Sequence, residues 1–153
     1  MAAPTISHLI CSMALVALIF VMPLFYSIVV NNVRLDMIRR ELKEVTDYVS
    51  NTVANLFYLV NSTSPQTISV DKDLLYLPAL VENSPYSLKI EGDGGNASKV
   101  TATIKDNIAV SGESWLTPGL RITADNAIDS GGDTVAVGCN RNSTAVYVWI
   151  RHR

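Results

Sequence analysis

The chain carries no charged side chain before Arg34 and no glycine before Gly92. The first absence removes the groups that tie a segment to water, and the second removes the residue that, proline apart, most readily interrupts a helix. Histidine is scarce: His8 sits in an apolar run and His152 one residue from the end. Neither a Ser/His/Asp arrangement nor a histidine metal centre can be drawn from such a pair, so the chain reads as a non-enzyme without metal or cofactor. Cys11 and Cys139 stand in sequence of different kinds, and no disulfide framework is expected. Cys139 reads as a buried strand cysteine, the other reading being a thiol that pairs between chains. With 12 Lys and Arg against 14 Asp and Glu, a net charge of −2, there is no clustered basic face and no nucleic-acid partner is expected.

What the charge-free opening holds is an apolar run from Ile6 to Val30, 25 residues where a bilayer span needs about 20. A cleaved secretory signal fits less well. No basic residue precedes Ile6, no small-x-small site follows Tyr26, and the run exceeds the roughly 7–15 residues of a signal core. Ser7, His8 and Ser12 near its start have two readings, helix–helix contacts or positions at the headgroup boundary.

Beyond the span, Leu35, Ile38, Leu42, Val45, Val49, Thr52, Leu56 and Leu59 recur at steps of three and four, a heptad stripe with only Thr52 off type. Such a stripe requires a partner along its length. Asp36 with Arg40, Arg40 with Glu44 and Lys43 with Asp47 place opposite charges four apart on the outward side and keep the rod soluble. A single helix is therefore expected from about Thr5 to Val60, roughly 80 Å at 1.5 Å per residue, with Pro23 removing one amide donor on the way. NSTSP, ending at Pro65, should stop it near Asn61.

After that the period changes to two. Short strands are expected at 67–70, 87–91, 99–104, 108–110, 120–123, 134–137 and 145–150, punctuated by turns at EGDGGNAS (91–98) and DNAIDSGGD (125–133). The expected fold is α+β: a helix over 1–62, with a span at 6–30 and an amphipathic extension at 31–60, then a small antiparallel β-sandwich over 63–153. Trp115, Tyr147 and Trp149 are its expected large core or rim residues, the last two on one face. Asp125, Asp129 and Asp133 match no calcium loop with a defined ligand order and read as a solvated acidic turn, as do Asp71 and Asp73.

Three triplets, Asn61-Ser-Thr, Asn96-Ala-Ser and Asn142-Ser-Thr, are glycosylation acceptors, all after the span. They favour a head outside the cytoplasm with possible N-linked glycans. The charge rule opposes this, because Arg34, Arg39, Arg40 and Lys43 follow the span. We give the sequons more weight, since those bases are matched by Asp36, Glu41, Glu44 and Asp47.

A glycine-free apolar helix that continues as an amphipathic rod, carries Pro23 and leads into a small strand-rich head resembles the type IV pilin-like superfamily. The opening PTISHLICSMALVALIFVM is similar in character to the N-terminal segments of archaeal pilins, archaellins and archaellum accessory proteins. Thr5 stands where many pilins carry glutamate, and Met1 to Thr5 hold no basic residue. The resemblance implies a structural subunit of an extracellular filament that sits in the membrane before assembly and then packs with copies of itself. Its assembly helix would use Ile6, Leu9, Leu15, Leu18, Pro23, Leu35, Ile38, Leu42, Val45, Val49, Leu56 and Leu59. The alternative is a single-pass anchored accessory protein whose β-domain binds an envelope or filament component.

Overall fold

The computed structural model describes residues 3–64, 67–131 and 134–153, with side chains placed there except at 3–7, 107 and 108. Pro65, Asp133 and the side chains of Ile6 and Ser7 thus lie outside the described residues. One helix, α1, runs from Ala3 to Ser62 and includes Pro23. Eight strands follow: β1 (Ile68–Asp73), β2 (Tyr86–Asp93), β3 (Asn96–Ile104), β4 (Asn107–Trp115), β5 (Leu120–Ile122), β6 (Ala127–Asp129), β7 (Val135–Asn142) and β8 (Ala145–His152). The chain is α+β, as the change of period implies. It divides into two compact units, residues 1–37 and Ile38–Arg153.

In the second unit the strands join in one sheet, ordered β1-β7-β8-β5-β3-β2-β6, with β4 also on β3. All pairs are antiparallel except β5 with β8. The joint at β5 is narrow, a single register pair Asn96↔Arg121 on its β3 side. Beyond it, residues 123–125 continue beside β8, where Ile150 N donates to Asp125 O at 2.9 Å, and β6 then crosses to β2. This strand within DNAIDSGGD escapes the sequence pattern because three residues with one inward side chain, Ile128, carry no alternation. The other turn is shorter than expected. Gly94 and Gly95 take φ of 56° and 84°, so β2 and β3 extend to meet a two-residue connection.

Alternation places Leu88 and Ile90, Val100 and Ala102, and Val148 and Ile150 inside. β7 breaks the pattern and is buried at five successive positions, Val135–Cys139, because it is covered on both faces. Cys139 Sγ lies 4.0 Å from Val53 O on the helix, and the Trp149 ring covers Gly138 on the other side, where a β-carbon would sit 2.3 Å from Trp149 Cζ2. Arg151 stacks 4.3 Å over that ring. Tyr147 and Trp149 do share a face, the outer one, while Trp115 is a rim residue, 73% exposed.

The helix from Leu42 onward supplies one wall of this core. Leu42, Val45, Val49, Val53, Leu56 and Val60 are buried, together with Thr46, Ser50 and Thr52. It also closes the free edge of β4: Lys43 Nζ donates to Glu113 O at 2.8 Å and Ser50 Oγ to Trp115 O at 2.6 Å. Lys43 holds Asp47 at 2.7 Å, and its ammonium, aided by Ser114, keeps that carboxyl below the usual carboxylate range. The last helical turn holds no basic residue. Arg141 on β7 supplies the missing cation, donating to Val60 O at 3.2 Å and Thr63 O at 3.3 Å.

Candidate assembly and membrane surface

Leu9, Leu15 and Leu18 are 63%, 59% and 53% exposed within the first unit, and they are not isolated. Between Leu9 and Val33, seventeen large apolar side chains are exposed, including Phe20, Phe25 and Tyr26. They surround the helix instead of forming one stripe, so the whole circumference is apolar. The helix is long and apolar enough to cross a membrane and could serve as an anchor. Ser12 suits such surroundings, because its hydroxyl is satisfied internally on Leu9 O at 2.9 Å.

The remaining positions of the expected assembly helix behave differently. Leu35 and Ile38 are half-buried, and Leu42, Val45, Val49 and Leu56 lie in the core of the second unit. From Leu42 to Leu56 the stripe's partner is this chain's own sheet. Leu59 is 51% exposed, whereas its neighbour Val60 is completely buried. A straight helix drifts about 20° per heptad from a seven-residue repeat, so by Leu59 the stripe has turned off the sheet and Val60 has turned onto it.

All three sequon asparagines are exposed. Asn61 and Asn142 border one cavity of about 240 Å³, shared with Phe57, Gly119 and Arg141. Asn96 begins β3 at the same end of the sheet, opposite Arg121, beside the start of β8. The sequons thus mark the pole where the helix ends.

At the other pole is a feature the sequence pattern does not announce. In the connection between β1 and β2, Leu75 is 74% and Tyr76 84% exposed, and the Tyr76 ring meets Tyr48 of the helix edge-on at 6.2 Å. Apolar residues in a connection lack a period to reveal their side. Tyr86 pins this connection through Oη to Pro78 O at 2.7 Å, and burial pushes its phenol up to about 12. Burial likewise raises the Cys139 thiol to about 12, which makes it an inert core group in place of a nucleophile.

Three of the acidic residues, Asp129, Asp73 and Asp71, are engaged in surface pairs. Asp129 meets Lys105 at 2.8 Å, and Asp73 meets Arg153 at 2.6 Å with Asp71 at 3.8 Å. Among the described residues, no group of three His, Cys, Asp or Glu side chains is gathered as metal ligands. No family model, no curated protein and no solved structure matches the chain.

Proposed function

We propose that this chain is a structural subunit of an extracellular filament of the type IV pilus or archaellum kind, held in the membrane before assembly and joined to its copies through the N-terminal helix. The observation that carries the reading is the apolar circumference from Leu9 to Val33. Leaving one large apolar side chain in water instead of burying it forgoes about 1.5–3 kcal/mol. Seventeen of them amount to tens of kcal/mol, against the roughly 5–15 kcal/mol that holds a domain folded. Water is therefore not this segment's solvent, and lipid followed by sister helices is the succession that serves it. The head then lies outside the cytoplasm, where its sequons are usable, and the protein's role is architectural.

One observation favours a second reading, a single-pass anchored accessory protein whose β-domain grips an envelope or filament component. The sheet already covers the helix from Leu42 to Val60, so a bilayer alone can satisfy what remains. Electron microscopy of the native surface fraction, with antibody against the head, separates the two. Labelled fibres that persist without detergent support the subunit. Label confined to membrane sheets, with the purified chain a detergent-dependent monomer, supports the anchor.

A further inference from the structure

The three sequons share a pole but differ in what the fold leaves available. Transfer of a glycan needs two groups presented together on accessible backbone, the asparagine carboxamide and the hydroxyl two residues on. At Asn61 the triplet closes the helix. Ser62 Oγ and Thr63 Oγ1 both donate back to Leu59 O, at 2.9 and 2.6 Å, and Thr63 O accepts from Arg141. Presenting it requires unwinding the helix end and breaking the Arg141 clamp.

At Asn96 the triplet lies inside the ladder. Asn96 faces Asp93 on one strand and Arg121 on another, Ala97 is buried, and Ser98 is held on both sides. Its hydroxyl donates to Glu91 O at 3.2 Å and its carbonyl accepts from Leu116 N at 2.9 Å. Asn142-Ser143-Thr144 is restrained only at its first residue, which closes the ladder opposite Ala145, while Ser143 and Thr144 lie in the turn. It forms the end of β7 and the two-residue turn into β8, and all three residues are exposed. Asn142 Oδ1 accepts from Ser143 N at 2.8 Å, and among the described residues no hydrogen bond engages Asn142 Nδ2 or the Thr144 hydroxyl.

We propose that the folded head is an N-glycosylation acceptor at Asn142 alone. Asn142 Nδ2 attacks the anomeric carbon of a glycan activated as a lipid-linked phosphate or diphosphate. A C–N bond forms, the C–O bond to phosphate breaks, the lipid phosphate leaves with the electron pair, and one amide proton passes to a base of the transferring enzyme. The attached glycan stands over the cavity between the helix end and the β7–β8 hairpin and shields the Arg141 clamp. The proposal rests on the head being extracytoplasmic, and not on filament assembly.

The test incubates the folded, detergent-solubilised full chain with a purified oligosaccharyltransferase and lipid-linked oligosaccharide, with a synthetic RNSTA peptide in the same reaction as a positive control. Glycopeptide mass spectrometry should find sugar on Asn142 only. Asn142→Gln and Thr144→Ala should abolish the mass shift, Thr144→Ser should keep it, and circular dichroism should show each variant folded. Sugar on Asn61 or Asn96 of the folded chain, or a modified peptide beside an unmodified protein, overturns the proposal. Fibres bearing no sugar would remove this inference and leave the filament reading standing, whereas glycosylated membrane monomers would do the reverse.

Discussion

Gly112 is the residue on which the contact between helix and β4 depends. A β-carbon there would lie 2.5 Å from both Leu42 C and Lys43 N, which are backbone atoms of a helix and cannot swing aside. Gly112→Ala should therefore lift the helix from the strand edge and cost about 1–3 kcal/mol in urea denaturation followed by tryptophan fluorescence. Tyr86 makes a different demand. Its phenol is held protonated up to about 12 in the fold, against an ordinary value near 10, so above pH 10 the unfolded chain binds fewer protons than the folded one. The stabilisation is complete below pH 10 and is lost as pH rises through 12, and Cys139, raised from 9 to about 12, adds to the same fall from pH 9 upward. Tyr86→Phe loses the bond to Pro78 O, about 1 kcal/mol at pH 7. Its denaturation midpoint should nonetheless decline less steeply than that of the parent between pH 10 and 12.

The helix shows which parts of an element sequence reasoning reaches. Its existence and its end are legible, because a charge-free run, an absence of glycine and the NSTSP stop all agree, and it spans Ala3–Ser62. Its inward face is less so, since a heptad and a 3.6-residue period diverge slowly and only the sheet decides between them. Val53 and Val60 go unselected by the stripe and are completely buried, while Leu59 is selected and exposed. Leu59→Asp should change the stability of the head by less than about 1 kcal/mol, a solvated surface replacement. Val60→Asp places a carboxylate in the core beside the helix end and should cost several kcal/mol or prevent folding. Thermal melts of the two variants decide the matter, and a heptad facing the sheet throughout would give the opposite order. The candidate site divides the same way. The sequon asparagines are legible from their triplets, and Ser62 and Thr63 bond back locally to Leu59 O, but the bonds that hold Thr63 O and Ser98 come from Arg141 on β7, from Glu91 on β2 and from Leu116 just after β4 and leave no trace in the local pattern.

Among the described residues the buried side chains begin at Leu42, and the compact unit that contains them begins at Ile38. A break in the sequence near Ser64 and a break in the packing near Met37 need not coincide, because a covalent helix can continue through a change of surroundings. The fragment 38–153 keeps six apolar helix residues that fill the core, the Lys43 and Ser50 bonds that close the β4 edge, and the Arg141 clamp. It discards the seventeen exposed apolar side chains. It should be soluble without detergent, monomeric in sedimentation, and should melt within a few degrees of the full chain, a shift of about 1 kcal/mol or less for a domain of this size. The fragment 63–153, cut where the sequence changes period, opens one wall of the core and bares a strand edge; it should bind a hydrophobic dye and aggregate. If 63–153 instead gave a cooperative melt, the sheet would be self-sufficient and the amphipathic half of the helix would again need a partner outside the chain. If 38–153 aggregated while 63–153 did not, the exposed Leu59 would be the place to seek that partner.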